Sequence, residues 1–245
     1  MQNLILDFGN TLYKLAVFDN GDLIYKSSGE KLYEKDVIAL KKLFPKIKKA
    51  IYATVVDLDK DFKNCMHSEF QAIELNHNTP IPIKNKYKTP ETLGKDRLAA
   101  AVGAAKLYPQ KDVLIIDAGS TITYEMLRSD SVYLGGSISP GIKMRFKSLH
   151  HFTDKLPLVT FSDSNILTGQ NTEDAILSGV INGILSEVDG IINRYKEMYS
   201  NILVVFTGGD LKYFDKNLKN NIFAAENLVL QGLNFILEYN DNKTY

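Results

Sequence analysis

The sequence predicts an α/β protein built from two related halves. Two stretches, LILDFGNT from Leu4 and LIIDAGST from Leu114, each run from an apolar segment into an aspartate, a glycine and hydroxyl or amide side chains. They lie almost half a chain apart, and each continues into a second alternating segment, which is the pattern of a strand, a tight turn and a strand. Strand patterns alternate with helical patterns in both halves, which favours mixed sheets flanked by helices.

In the first half, residues 1–25 are predicted to form a hairpin, and SGEKLYEKDVIALKKLF is predicted to form an amphipathic helix. The basic stretch KKLFPKIKK has apolar residues at helical spacing, so we expect a solvated helix face interrupted by Pro45. AIYATVVDL is typical of a buried strand and DKDFKNCMHSEF of a helix. AIELN and IPIKNKY are expected to be extended, because prolines exclude helix there. The alanine-rich segment TLGKDRLAAAVGAAKLY is a predicted helix.

The second half repeats strands between Val113 and Leu134, followed by a predicted glycine and proline turn in GGSISPGIKM. A long helix is predicted from NTEDAILSG to RYKEMY, then a strand at NILVVF, a turn at TGGD and a last helix at NLVLQGLNFILEY. The tail NDNKTY is expected to fray. A boundary near Pro109 to Asp112 divides the chain into predicted domains 1–111 and 112–245.

Composition excludes several functional classes. The 245 residues are 44% hydrophobic, and 29 basic residues balance 29 acidic ones, so no overall field attracts nucleic acid or an anionic membrane. The single Cys65 allows neither an internal disulfide nor a cysteine-rich zinc site, and the four histidines lack metal-ligand spacing. His150 and His151 are expected in a surface loop. With no signal-like leader and no apolar run near about eighteen residues, we expect a cytoplasmic protein without a membrane span.

The two aspartate-glycine motifs suit phosphate binding. A glycine after a strand lets backbone N–H groups approach a phosphate, and a carboxylate just before it can hold a cation directly or through water. We expect the two motifs to face one cleft and grip a nucleotide. A third glycine turn, FTGGDL, suits close approach of a nucleoside, although a plain strand-to-helix connection would have the same sequence. Neither G-x-x-x-x-G-K-[ST] nor G-x-G-x-x-G occurs, which excludes the two commonest phosphate cradles.

Together, the two aspartate-glycine motifs and the late TGG resemble the actin-like ATPase architecture, a duplicated ribonuclease-H-like fold shared by acetate and sugar kinases. LGKDR, GGSISPGI, the pair Leu156–Pro157 and QNTEDAILSG resemble one family within it, the type III pantothenate kinases, in order over nearly the whole chain. The resemblance implies ATP-dependent phosphorylation of pantothenate to 4′-phosphopantothenate, the first step of coenzyme A biosynthesis. It also implies a homodimer that uses Mg²⁺ and a monovalent cation, K⁺ or NH₄⁺.

The family resemblance assigns roles only where motifs match. The implied ATP-binding residues are Asp7, Phe8, Gly9, Asn10, Thr11, Leu12, Tyr13, Lys14 and Ser120. The implied pantothenate-binding residues are Tyr87, Gly94, Lys95, Asp96, Arg97 and Thr172, with Asp96 as the proton acceptor and Thr172 reaching across a dimer interface. Asp117 matches the position that binds the monovalent cation. Ser120–Thr121 and Glu125 depart from the usual threonine–alanine and aspartate.

Elementary chemistry supports the acceptor roles independently. Phosphoryl transfer to an alcohol needs a carboxylate to orient or deprotonate the hydroxyl, and Asp96 stands at a helix entrance. Arg97 beside it offers a planar fork for the carboxylate of pantothenate. The alternatives are that Asp96 only caps the helix, that Tyr87 is a core aromatic and that Thr172 is an N-cap.

Two other functions stay open from the sequence: an actin-like kinase for a different hydroxy acid, and a nucleotide-dependent regulatory module without a small acceptor. The motif GKDR favours a kinase. The apolar segment AILSGVINGILSEVDGII carries small residues at Ser178, Gly179 and Gly183, which would let two helices approach closely, within the chain or across a dimer.

Overall fold

The computed structural model describes residues 1–163 and 166–241. They form two compact units. The first combines Met1–Gln110, Ser129–Leu134 and the residues from Asn227 on, and the second combines Lys111–Arg128 with Gly135–Glu226. The single domain boundary expected at residues 111 and 112 stays a prediction. The expected fraying of NDNKTY falls on residues 242–245, outside the described residues, and on Asn240 and Asp241, which are helical.

A five-stranded sheet forms the centre of the first unit. Its strands are β1 (Gln2–Phe8), β2 (Tyr13–Asp19), β3 (Asp22–Gly29), β4 (Ile47–Thr54) and β5 (Gln71–Glu74), in the order β3-β2-β1-β4-β5. β1 is antiparallel to β2 and parallel to β4. Helices α1 (Glu34–Leu43) and α2 (Lys60–Glu69) contribute to the apolar core of this sheet. A short strand β6 (Lys84–Asn85) pairs with Val132–Tyr133 at the start of β9 (Val132–Pro140).

Helices α3 (Lys95–Leu107) and α7 (Leu228–Asp241) complete the first unit, with α7 packed on β1, β2 and β4. The two helices cross very closely. A β-carbon at Gly232 would lie 1.8 Å from the Ala99 carbonyl oxygen, and one at Gly103 would lie 2.6 Å from that of Leu228. Glycine at both positions is therefore required for this crossing, because any side chain would force the helices apart.

The second unit repeats the strand order of the first. Its strands are β7 (Val113–Ala118), β8 (Thr121–Leu127), the later part of β9, β10 (Leu203–Thr207) and β11 (Phe223–Ala224), in the order β11-β10-β7-β8-β9. β7 is antiparallel to β8 and parallel to β10, as β1 is to β2 and β4. Its helices are α4 (Ile142–His151), α5 (Thr172–Met198) and α6 (Leu211–Asn217). The predicted α/β duplication is confirmed.

Several local predictions were wrong. KKLFPKIKK is not one interrupted helix, because α1 ends before Pro45 and Ile47 already belongs to β4. GGSISPGIKM is not a turn throughout, because β9 continues to Pro140 and α4 starts at Ile142. His150 and His151 therefore end a helix and do not lie in a loop. Helix α6 and strand β11 were not predicted.

Helix α5 is the one helix among residues 1–163 and 166–241 that is long and apolar enough to cross a membrane, which the sequence analysis did not anticipate. Its apolar residues account for this composition by packing in the core of the second unit. They are Ile176, Leu177, Val180, Ile181, Ile184, Val188 and Ile192. A buried core helix passes the same test of length and composition as a membrane span.

Candidate functional site

The first glycine turn follows β1 in the first unit. Asp7 is buried near the end of the strand, paired with Lys14 on β2 and Ala53 on β4. The turn closes through a bond from the Gly9 backbone N–H to the Leu12 carbonyl at 3.1 Å. The residues between them, Asn10 and Thr11, are exposed. The segment 7–14 therefore presents polar side chains on a turn, as the phosphate-loop prediction requires.

The acceptor segment lies at the start of α3, also in the first unit. Gly94 is the N-cap, so Asp96 stands in the first turn and is not the cap itself. Its Oδ1 accepts a 2.8 Å hydrogen bond from the Arg97 backbone N–H. A β-carbon at Gly94 would lie 2.7 Å from that oxygen, so glycine is what leaves room for the carboxylate. Asp96 is half-buried, which keeps it within reach of a ligand.

Arg97 is held over an aromatic stack. Its side chain is buried, and its guanidinium carbon lies 5.4 Å from the ring centroid of Tyr87. Tyr87 in turn stacks on the fully buried Tyr133, with centroids 6.4 Å apart and planes 25° apart. The structure thus places Tyr87 next to Arg97 at the start of α3, and it adds Tyr133 to this group. Burial lowers the pKa of the Lys95 ammonium, and nearby Glu91 opposes this.

The second glycine turn follows β7 in the second unit. Asp117 is half-buried at the strand end, paired with Thr123 on β8 and Thr207 on β10. The turn is tighter than the first, because Gly119 donates its N–H to the Thr121 carbonyl at 2.9 Å and only two residues separate the strands. Ser120 is exposed at its tip. Alternation along β8 and β10 was the sequence signal that could have pointed to the two threonines.

The third glycine turn packs directly on the second. Gly208 has φ +98°, and a β-carbon there would lie 2.5 Å from Asp117 Oδ1 and 2.2 Å from the Ala118 carbonyl oxygen. Gly141, just before α4, packs against the second glycine turn as well. A β-carbon there would lie 2.1 Å from the Gly119 carbonyl oxygen, so Gly141 has no room for one either. The TGGD turn therefore connects β10 to α6 and also packs its backbone directly against Asp117 and Ala118. We call this packed backbone the wall beside Asp117.

Three helices that start at predicted motifs lack a side-chain cap. They are α3 at Gly94, α4 at Gly141 and α6 at Asp210. By contrast, Asp59 and Asn171 cap α2 and α5 through their side chains. An uncapped first turn leaves backbone N–H groups and a partial positive charge available to an anion. At α3 the Arg97 N–H is already bonded to Asp96 Oδ1, so only the earlier N–H groups of that first turn could contact an anion.

Asp210, in the TGGD motif, was not predicted as a site residue. Its backbone N–H bonds to the Ala118 carbonyl at 3.1 Å, which ties the third glycine turn to the end of β7. Burial raises the pKa of its carboxyl group, and Lys143 on α4 opposes this. Desolvation disfavours the charged form of Asp210, and a cation bound beside the Asp117 turn would favour it.

Thr172 lies at the first position of α5, and the cap is Asn171, whose Oδ1 accepts from the Asp174 N–H at 2.9 Å. The alternative that Thr172 is the cap is therefore wrong. Thr172 is exposed and lines an open groove of about 620 Å³ in the second unit. Arg145, Leu149, Leu156, Ile176 and Gly179 also line it.

The part of the chain that the structure describes has no side-chain cluster typical of a metal site. Among residues 1–163 and 166–241, no group of three or more histidine, cysteine, aspartate or glutamate side chains is placed to hold one. Asp117 would bind a cation together with backbone, hydroxyl, water or substrate oxygens. That donor set suits hard cations, which prefer oxygen ligands.

The chain is similar to known proteins over most of its length. The family model described as type III pantothenate kinase matches residues 3–194. The type III pantothenate kinase of Christiangramia forsetii is 48% identical, covering 97% of this chain and 98% of its own. That of Phocaeicola vulgatus is 47% identical, covering 98% and 99%.

A solved structure shows the same fold. The activator of 2-hydroxyisocaproyl-CoA dehydratase from Clostridium difficile, with bound ADPNP, superposes with a TM-score of 0.55 at 14% identity. The match covers 100% of this chain and 97% of that one. The fold is that of the actin-like ATPases and sugar kinases. By the extent of the family match and the identity to its members, the chain belongs to the type III pantothenate kinase family.

Proposed function

We propose that this chain transfers the γ-phosphoryl group of ATP to the hydroxyl of pantothenate, giving 4′-phosphopantothenate for coenzyme A biosynthesis, with Asp96 as the proton acceptor. The observation that carries the assignment is the acceptor segment, in which Asp96 stands beside a buried arginine held over an aromatic ring. A regulatory module that only turns over nucleotide would not need such a segment.

On the acceptor side, Arg97 is suited to bind the carboxylate of pantothenate. A guanidinium held over a ring presents a planar edge, and a carboxylate can accept two parallel hydrogen bonds from it. This would place the acceptor hydroxyl near the half-buried Asp96. The carboxylate of Asp96 then accepts the hydroxyl proton as the oxygen attacks phosphorus.

On the donor side, each of the turns after β1 and β7 is suited by itself to bind phosphate, the first through backbone N–H groups with Asn10 and Thr11 and the second through backbone N–H groups with Ser120. The wall formed by Gly208 and Gly209 is suited to the flat nucleoside, because side chains are absent there. Mg²⁺ bound with ATP would neutralise charge on the phosphates, with Asp7 as the protein group for it. We assign the monovalent cation to Asp117.

We propose a cytoplasmic homodimer in which α5 packs against the α5 of a second copy. Beyond α5 itself, no atom of the described residues lies within 4 Å of a β-carbon position at Gly179 or Gly183, and both glycines are exposed. Exposed apolar side chains lie in the segment before α5, including Phe152 at 82% and Leu167 at 78%. Such a surface favours burial between copies, and Thr172 would then reach the acceptor of the partner.

The function is tested by measuring ADP release from Mg-ATP with pantothenate, without it and with a panel of other hydroxy acids. Mass spectrometry identifies the product. We expect release to depend on pantothenate and the product to be its monophosphate. Nucleotide turnover that is equal without any acceptor would instead support a regulatory module, and preference for another hydroxy acid would reassign the substrate.

The dimer is tested by light scattering at assay concentration. We expect the mass of two chains for the wild type, and a single chain for Gly183→Arg, whose long charged side chain would fill the space between the helices. A fully active monomer would refute the shared acceptor site.

A further inference from the structure

Arg145 on α4 makes three side-chain hydrogen bonds, two to the segment just before its own helix and one to α5. Its Nε donates to the Pro140 carbonyl at 2.9 Å, and one terminal nitrogen donates to Ser139 Oγ at 2.9 Å. The same nitrogen donates to Glu187 on α5 at 2.5 Å. Ser139 to Gly141 is where β9 ends and the chain bends into α4, and we call this segment the Ser139–Gly141 turn. The Arg145 side chain therefore links this turn to α5.

Glu187 is itself held in place by several groups. Its other carboxylate oxygen accepts from the hydroxyl of the fully buried Tyr124 at 3.0 Å. Burial opposes the charged form of Glu187, but hydrogen bonds from Arg145, Ser139 and Tyr124 outweigh it and lower its pKa. Glu187 therefore carries its charge at neutral pH, and the pair with Arg145 joins β8, α4 and α5.

The Ser139–Gly141 turn packs directly against the second glycine turn, Gly119–Ser120. Gly141 donates its N–H to the Ser120 carbonyl at 3.2 Å. A β-carbon on Gly141 would lie 2.1 Å from the Gly119 carbonyl oxygen and 2.7 Å from that of Ser120. A displacement of Gly141 toward the loop would therefore move the backbone of Gly119 and Ser120, because packed atoms transmit such shifts.

We propose that Arg145, oriented by Glu187, is a positioning residue for ATP, holding the Gly119–Ser120 loop in its phosphate-binding conformation through the Ser139–Gly141 turn. This inference rests on the proposed function, in which that loop binds the nucleotide. Neither Arg145 nor Glu187 touches the reacting atoms in this role. Their loss should weaken nucleotide binding and leave the intrinsic affinity for pantothenate nearly unchanged.

The test uses the full-length variants Arg145→Lys and Glu187→Gln, with Lys147→Gln as a matched control on the exposed face of α4. Lysine keeps the charge, but its single nitrogen cannot stand at both the Nε position that contacts Pro140 and the terminal position that contacts Ser139 and Glu187. Affinity for a non-hydrolysable ATP analogue is measured directly by calorimetry. The KM values for ATP and pantothenate are measured separately, with thermal unfolding and light scattering as checks on folding and assembly.

We expect both variants to bind the analogue about tenfold more weakly, to raise the KM for ATP in parallel and to keep the KM for pantothenate, while Lys147→Gln matches the wild type. Wild-type analogue affinity in a folded Arg145→Lys or Glu187→Gln protein would overturn the proposal. A rise confined to the KM for pantothenate, or a loss of the dimer in parallel with affinity, would also overturn it, by placing Arg145 at the acceptor or at the interface.

Direct binding separates this inference from the proposed function. If the wild type does not phosphorylate pantothenate, the proposed reaction is wrong, but the analogue affinities still decide whether Arg145 positions the nucleotide loop. Should Arg145→Lys unfold, Tyr124→Phe removes only the hydroxyl that orients Glu187. We then expect a smaller loss of affinity in the same direction, and an unchanged affinity would overturn the proposal.

Discussion

The guanidinium of Arg97 lies 5.4 Å from the ring centroid of Tyr87, and Tyr87 stacks on Tyr133 beneath it. A flat cation on a ring gains from cation–π attraction and from restricted rotation. The stack thus orients the group that we assign to the substrate carboxylate. A lysine ammonium is not planar, so a lysine could not lie flat on the Tyr87 ring as the Arg97 guanidinium can.

Replacing Arg97 by lysine should therefore separate charge from shape. We expect the KM for pantothenate to rise by about tenfold or more with a smaller change in kcat, since the positive charge remains and the two-pronged contact is lost. Steady-state kinetics at saturating ATP measure both constants. Lys88→Gln, at an exposed position beside Tyr87, is the control. An unchanged KM in the Arg97→Lys protein would contradict the assignment.

Asp96→Asn should slow the reaction without loosening ATP. A positioned general base contributes roughly 10² to 10⁴ in rate, and the amide loses it while its oxygen can still accept from the Arg97 N–H. We expect kcat to fall by that range and the affinity for an ATP analogue to hold. A folded Asp96→Asn protein that turns over at the wild-type rate would show that Asp96 is not the proton acceptor and only bonds the first turn of α3.

Asp7→Asn should act on the donor instead. Because the proposed partner of Asp7 is the metal and phosphate end of ATP, we expect a higher KM for Mg-ATP and a higher Mg²⁺ requirement, with the KM for pantothenate nearly unchanged. Titrating Mg²⁺ at constant ATP measures the effect. If the Mg²⁺ dependence of the variant overlays that of the wild type, the metal role is excluded.

Gly208→Ala should damage the wall beside Asp117, whereas Gly209→Ala should not. Gly208 combines φ +98° with a β-carbon position 2.2 Å from the Ala118 carbonyl oxygen, while no atom lies within 4 Å of the corresponding position at Gly209. We expect Gly208→Ala to lower the free energy of unfolding by about 1–3 kcal/mol more than Gly209→Ala. Denaturant unfolding of the two variants under the same conditions measures this difference in the free energy of unfolding. Equal stability would contradict the close packing at Gly208.

Turnover should depend on the monovalent cation proposed at Asp117. Replacing K⁺ by Na⁺ at constant ionic strength and fixed Mg²⁺ is expected to reduce kcat, because the smaller ion fits a site of backbone and hydroxyl oxygens less well. Asp117→Asn should remove most of the difference between the two salts. Equal wild-type rates in both salts would end this assignment.

The repeated motif was sufficient to predict the duplicated sheet, because an aspartate at a strand end and a glycine in the turn recur at matching positions of both units. Helix α3 was predicted from its richness in alanine and leucine, and α5 from its long run of helix-compatible residues after NTED. Helix α4 was missed because the proline and glycine in SISPG suggested a longer turn. In the structure, Gly141 alone separates the end of β9 from the start of α4. Tyr133 and Arg145 were missed because their roles depend on strand and helix neighbours distant in sequence.

The crossing of α3 and α7 at Gly103 and Gly232 has a consequence for the order of assembly during synthesis. The second unit ends at Glu226, so all of its residues emerge before α7 begins at Leu228. The sheet built from residues 1–74 waits for the helix that covers β1 while residues 111–226 are translated, roughly 6–23 s at about 5–20 residues per second. The half of the protein that is made first is therefore the half that is finished last.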